Sequence, residues 1–312
     1  MSGQSALLQL GQLLRKSGYA FVTPTPVTHQ RVNDRAGNAI GRTLRDAFGW
    51  NRPFEPGLLP PNDENELIES GVLERDRERL KSTVRWSSLD NLLLVHSAFP
   101  TTQEDSVFFG PDTYRFAQTI KRHLRSTRCV IKRAVDIGCG TGAGAMLIAR
   151  GKPEAEVFAV DINPKALDFT RINATLAGLE NVVCHASNVL NEIEGRFDLI
   201  VANPPYMKDS RQRAYRHGGD ALGADLSVRI VHESLERLSE GGSLLLYTGV
   251  AIVNGQDPFL ASVKETLDQA NLDWHYRELD PDVFGEELLE AGYEQVDRIA
   301  AVELIVTRRL PV

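Results

Sequence analysis

The stretch RAVDIGCGTGAG, Arg133 to Gly144, decides the fold of this 312-residue chain. Ala134, Val135 and Ile137 form a short apolar run that reads as a buried strand. Gly138, Gly140 and Gly142 follow at alternate positions and predict a turn, and the apolar residues from Ala143 to Ala149 predict a helix start. Strand, glycine turn and helix in this order make a nucleotide-binding context. Glycines let backbone N–H groups come close to a ligand, and the helix offers its positive end to an anion.

The same letters fit a loose dinucleotide fingerprint through Gly138, Gly140 and Ala143. Asp136 argues against that ligand. Its carboxylate, two residues before the first glycine, would face a pyrophosphate with like charge, whereas the ammonium and sulfonium of S-adenosylmethionine suit it. As it stands, VDIGCGTG resembles motif I of the class I S-adenosylmethionine-dependent methyltransferases. The resemblance implies S-adenosyl-L-methionine as cofactor. It also implies an α/β, Rossmann-like fold: a seven-stranded, mostly parallel sheet with helices on both faces.

From Arg133 onward, apolar strand patterns alternate with helical ones at intervals that suit βαβ units. The second strand, Val157 to Val160, ends at Asp161, about 20 positions past the glycines, where a carboxylate accepts hydrogen bonds from both ribose hydroxyls. Ile162 then offers an apolar surface to the adenine. The third strand, Asn181 to His185, leads to a turn where the family usually has an aspartate that meets the adenine amino group. This chain has Asn188, whose amide oxygen can accept the same bond.

Phe197 to Ala202 reads as the fourth strand and ends in Asn203, Pro204, Pro205 and Tyr206. NPPY at this place resembles the signature of amino-methyltransferases that act on glutamine side chains, on exocyclic amines of adenine or cytosine, and on guanine of ribosomal RNA. Two successive prolines fix the backbone, so the Asn203 side-chain oxygen and the Pro204 carbonyl can be aimed at a planar NH₂ group. Asn203, Pro204 and Tyr206 are the expected catalytic residues, with Pro205 and Tyr206 against the acceptor and Tyr206 stacking on it. In the following polar loop, 207–224, Arg211, Arg213, Arg216 and His217 offer charge for an anionic part of a substrate, or are solvated. A helix from Leu226 to Leu238 precedes the fifth strand, Ser243 to Tyr247. Release-factor glutamine methyltransferases carry an acidic residue near the end of that strand; here Tyr247 and Thr248 are expected to line the pocket instead. A helix from Pro258 to Ala270, a strand from Trp274 to Leu279, a short helix at Glu286 to Leu289 and a strand from Ile299 to Thr307 complete the chain. By the resemblance, the last strand is antiparallel.

The resemblance covers about residues 107–309, including a partial match at Asp112 and Thr113 to the entry segment of glutamine methyltransferases that act on release factors. A domain of residues 107–312 is therefore expected behind an N-terminal one of residues 1–106, which by analogy selects the substrate. Helices are expected over 4–17, over Ile40 to Phe48 and over Glu64 to Leu80, then a hairpin of Thr83 to Trp86 and Leu92 to His96.

Composition fits an ordinary folded protein, with 42% hydrophobic and 25% charged residues. No apolar run approaches the roughly 18 residues of a membrane span, and no secretory pattern opens the chain, so a cytoplasmic location and no membrane partner are expected. Three cysteines without a C-x-x-C pair suggest no disulfide framework and no metal site. Net charge is −7, from +3 over residues 1–128 (17 Lys/Arg, 14 Asp/Glu) and −10 beyond (18 against 28), which leaves nucleic acid open as a partner without favouring it. The expected function is N-methyl transfer to an amide or amino nitrogen, with a protein glutamine leading. The alternatives are a small amine or amino acid, with a reaction other than methyl transfer included, and a nucleic-acid base. Oligomeric state is not indicated.

Overall fold

The computed structural model describes residues 3–208, 216–219, 222–269 and 271–310. The chain forms two compact units. One comprises Met1–Arg115, Gly140–Ala143 and Lys165–Glu180, the other Phe116–Cys139, Gly144–Pro164 and Asn181–Val312.

In the first unit, α1 (Gly3–Lys16) buries Ala6, Leu7, Leu10 and Leu14 along one side, as its leucine spacing predicts. A helix not expected from the sequence, α2 (Pro26–Asn33), starts at Thr25, whose hydroxyl accepts the Thr28 N–H, with Pro26 in the first turn. The next, α3 (Leu44–Phe48), is shorter than expected because Thr43 and Asp46 form a reciprocal capping box that sets its start.

The expected helix from Glu64 to Leu80 is not one helix. Instead α4 (Pro61–Glu69) stops, and β1 (Leu73–Asp76) and β2 (Arg79–Ser82) form an antiparallel hairpin. Gly71 is the cause. At φ +74° it takes the left-handed position beyond the helix end; the Val72 N–H then donates to the Leu67 carbonyl and the Gly71 N–H to that of Ile68. The alternating charges of residues 74–81 lie on a ribbon in which Leu80 is the buried apolar side chain. A second hairpin, β3 (Val84–Leu89) with β4 (Leu92–Ser97), follows where the sequence predicts it. Leu10, Leu14, Phe48, Phe54, Trp86, Phe169 and Ile172 form this unit's core.

After α5 (Pro111–Ser126) the chain alternates: β5 (Arg133–Ile137), α6 (Ala143–Gly151), β6 (Glu156–Asp161), α7 (Pro164–Ala177), β7 (Val182–Ala186), β8 (Phe197–Ala202), α8 (Asp225–Arg237), β9 (Leu238–Val253), α9 (Pro258–Leu267), β10 (Leu272–Asp280) and β11 (Val296–Arg308). The strands form one seven-stranded sheet of the second unit in the order β10-β11-β9-β8-β5-β6-β7. Pairs among β5 to β9 are parallel, and β11 is antiparallel to both neighbours, as the resemblance implies. A short 3-10 helix (Gly285–Leu289) lies between the last two strands. At 16 residues β9 outruns its expected five, because it pairs with β11 from Ser243 to Val253. Val135, Ile200, Leu244, Leu246 and Val302 lie in the core of this unit. Strand order runs one way from β5 through β6 to β7 and the other way from β8 to β9, so the switch point of this doubly wound sheet lies beside β5. Among the described residues no helix is long and apolar enough to cross a membrane, and no group of three or more His, Cys, Asp or Glu is placed to hold a metal ion.

Candidate active site

Ligands of open α/β sheets bind at the carboxyl ends of the strands beside the switch point. Asp136 and Asp161 stand at or near the ends of β5 and β6, and Asn203 follows β8. The turn after β5 takes the conformation its glycines permit, with φ of +65°, +54° and +76° at Gly138, Gly140 and Gly142. The Cys139 N–H donates to the Val160 carbonyl at 3.0 Å and ties the turn to β6. Two residues not singled out from the sequence hold carbonyls of the turn. The Thr170 hydroxyl donates to the Gly140 carbonyl at 3.1 Å, and the buried Asn173 amide donates to that of Thr141 at 3.0 Å. Their signal was a pair of polar side chains among the apolar positions of the buried face of α7.

Asp136 is 2% exposed. Its Oδ2 accepts the Ala145 N–H at 2.8 Å, and a Cβ at Gly144 would come within 2.7 Å of that oxygen, which is why a glycine stands there. Burial pushes its carboxyl up to about 8, with the charge of Asp161 in the same direction; hydrogen bonds from the Ala145 and Gly144 backbone act against the rise. The acid thus serves the first turn of α6 as well as whatever lies over the turn.

The residues fit an adenosyl ligand. A Cβ at Gly138 would meet no atom within 4 Å, so the turn borders open space. Asp161 accepts the Asn163 N–H at 2.9 Å through Oδ1, and Ile162 beside it is 62% exposed, an apolar surface of the kind an adenine covers. Asn188 is exposed and already engaged. Its side-chain oxygen accepts from the Arg229 guanidinium at 2.9 Å, so an adenine amino group would have to share that acceptor.

Asn203 is half-buried, and its side chain makes no hydrogen bond to any described residue. Pro204 is buried and Pro205 half-buried. Tyr206, expected to stack on the acceptor, is instead 8% exposed. Its ring lies against Gly249, where a Cβ would come within 2.3 Å of it, and Phe284 meets it edge-on at 6.1 Å. Beyond it, the Lys208 N–H donates to the Tyr293 hydroxyl at 2.8 Å. The Met207 N–H donates to the Arg216 carbonyl at 3.0 Å, and the Gly218 N–H to the Met207 carbonyl at 2.9 Å. Gly218 is needed for this approach, since a Cβ there would fall 2.6 Å from the Pro205 carbonyl oxygen. The Arg216 guanidinium is paired with the buried Glu287. Tyr247 is fully buried within the sheet, and Thr248 shares a hydrogen bond with Ser227 at 2.8 Å, so the two form wall rather than open surface. Arg211 and Arg213 lie outside the described residues. In the first unit, Asp112 is buried with its Oδ1 3.2 Å from Arg115, and Thr113 accepts the Gly110 N–H. Phe284, Tyr293 and Gly249 were not legible as site residues, because they lie 43 to 87 positions from Tyr206.

The methyltransferase small domain profile matches residues 113–252. The segment is similar to that family, whose class I fold uses S-adenosylmethionine. The release factor glutamine methyltransferase of Deinococcus radiodurans is 38% identical over 124 residues, 36% of this chain and 44% of that protein. The namesake in Rhodopirellula baltica is 31% identical over 49% of this chain and 54% of its own length. The ribosomal RNA small subunit methyltransferase C of Salmonella choleraesuis is 31% identical over 43% of this chain and 35% of its own. The chain therefore spans between 35 and 54% of the length of these relatives.

Proposed function

We propose that the protein transfers a methyl group from S-adenosylmethionine to a planar amide or amino nitrogen, with a protein glutamine as the leading acceptor. The observation that carries this reading is the state of Asn203. Its amide makes no hydrogen bond to the described residues, at the end of a strand beside the switch point, on a loop braced by two prolines and by Tyr206. A polar side chain on a braced loop, with no hydrogen bond to the described residues, is available to a ligand.

When bound, the cofactor supplies a methyl group already activated by its sulfonium. The protein's task is then orientation. Asp161 would accept the ribose hydroxyls, and Ile162 would cover the adenine. Asn203 and the Pro204 carbonyl would accept the two hydrogens of the acceptor NH₂ and so aim its lone pair, and the proton that the nitrogen sheds after transfer would pass to water without a strong base. Tyr206 supports the loop from beneath rather than stacking on the acceptor. A reducing cytoplasmic setting fits three cysteines that remain thiols. Residues 1–106 are assigned the choice of substrate.

Calorimetric titration with S-adenosylmethionine, S-adenosylhomocysteine and NAD tests the cofactor, and mass spectrometry of incubations with candidate acceptors tests the rest. Binding of the sulfur ligands alone and a methyl gain on a protein glutamine are expected. Label on RNA, or 5′-methylthioadenosine formed with no macromolecule present, would replace the glutamine acceptor by one of its alternatives. Binding of NAD alone would end the reading.

A further inference from the structure

Residues 113–135 hold seven Lys/Arg and no Asp/Glu in a chain whose net charge is −7. Part of this window is the outer face of α5. Gln118, Lys121, Arg122, Arg125 and Ser126 line an open depression of about 460 Å³ there. The helix dipole accounts for cations in the last turn of a helix. It does not account for what holds Arg122.

Glu303, on β11, is 1% exposed. Its carboxylate accepts from the Thr119 hydroxyl at 2.5 Å, from Arg122 Nη2, and from Arg277 Nε at 3.0 Å, Arg277 being its direct cross-strand neighbour on the edge strand β10. Both arginine side chains remain nearly half exposed, at 45% and 41%. Each therefore has one nitrogen fixed on a buried acid and the remaining N–H groups of its planar fork directed elsewhere. Ordinary surface arginines are mobile and lose side-chain entropy on binding; these two are already held.

We propose that this face, with Lys121, Arg122 and Arg125 in the depression, Arg277 joined to Arg122 through Glu303, and Arg128 past the end of α5, is a docking surface for the phosphate backbone of a single-stranded nucleic acid. Lys121/Arg122 and Arg125 lie about one helical turn, ~5 Å, apart on α5, and Arg128 follows just past its end, a run of cations with no acid among them that a phosphate backbone matches in charge. Guanidinium forks suit phosphate oxygens in pairs. The assignment is independent of which nitrogen is methylated, since the docked strand and the acceptor need not be one molecule.

The test is fluorescence anisotropy of the full chain with a labelled single-stranded RNA of mixed sequence, from about 50 to about 200 mM salt, with poly-L-glutamate as the competing polyanion. The chain is expected to bind the RNA with an affinity that falls steeply with salt. Lys121→Gln and Arg125→Gln, both on the outer face of α5, should each lower the log–log salt slope by about one and together weaken binding at least about tenfold. Arg277→Lys keeps the charge but gives up the fork, and should weaken binding with the slope retained. Calorimetric binding of S-adenosylmethionine, unchanged in all three variants, shows that they fold. No binding of RNA by the unaltered chain, an unchanged salt slope in the variants, or tighter binding of poly-L-glutamate than of RNA would overturn the proposal.

Discussion

Asp136 and Ala145 are joined by a 2.8 Å hydrogen bond from the Ala145 N–H to the carboxyl oxygen, which binds the end of β5 to the first turn of α6. Because burial raises this carboxyl from 3.8 to about 8, the folded protein retains a proton between those values that the unfolded chain releases. The stability it contributes is complete below the ordinary carboxylate range and is lost as pH rises through about 8. Thermal midpoints measured from about pH 5 to about pH 9 should therefore decline, and Asp136→Asn, which keeps the acceptor oxygen without the charge, should flatten the decline. A variant with the same pH profile as the parent would show that Asp136 does not titrate in this window.

Asp161 and Asn203 are expected to divide binding from turnover. Asp161→Ala should weaken S-adenosylmethionine by about tenfold to a hundredfold, the loss of hydrogen bonds to a charged acceptor. Asn203→Ala should leave that affinity intact and lower kcat at least about a hundredfold through misplacement of the acceptor. Calorimetry and single-turnover transfer read the two effects separately, and equal loss of binding in both variants would refute the division.

Gly249 leaves the space that the Tyr206 ring fills. Gly249→Ala forces the ring aside and should cost about 1–3 kcal/mol of stability through overpacking. Transfer should fall by a larger factor than S-adenosylmethionine affinity. Denaturant midpoints combined with cofactor titration test this, and a variant with unaltered stability would mean that the loop yields freely.

Tyr293→Phe removes the oxygen that accepts the Lys208 N–H at 2.8 Å and keeps the ring in place. Its stability cost should be about 1 to 2 kcal/mol, the net value of that hydrogen bond and of the weaker one that the hydroxyl donates to the Met207 sulfur. Amide exchange at Lys208 should accelerate while exchange within β8 stays slow. Uniform acceleration across both would instead report global destabilisation.

Asn173 is fully buried, and its amide bonds the Val95 N–H and carbonyl as well as the Thr141 carbonyl. Asn173→Ala should destabilise the protein by about 3 kcal/mol, because several buried backbone groups lose their partner at once. Urea unfolding decides it: a change below about 1 kcal/mol would mean that water replaces the amide.

The sequence by itself determined the alternation of strands and helices after Arg133, the glycine turn at 138–142 and the placement of Asn203 to Tyr206 at a strand end. These are local properties: apolar periodicity, φ values that favour glycine, and backbone fixed by proline, each written in neighbouring residues. The end of α4 was equally local, signalled by Gly71, yet the charge alternation of residues 74–81 reads as readily for a helix as for a ribbon. Only the tertiary structure decided what the side chains do. Asn188 answers to Arg229, 41 residues away, Arg216 to Glu287, and Tyr206 to Gly249 and Phe284. Asp136 also answers to the Ala145 N–H in α6. A side chain's direction is set by whichever partner satisfies its polar atoms and fills its volume, and partners brought together by sheet pairing leave no periodic mark in the sequence between them.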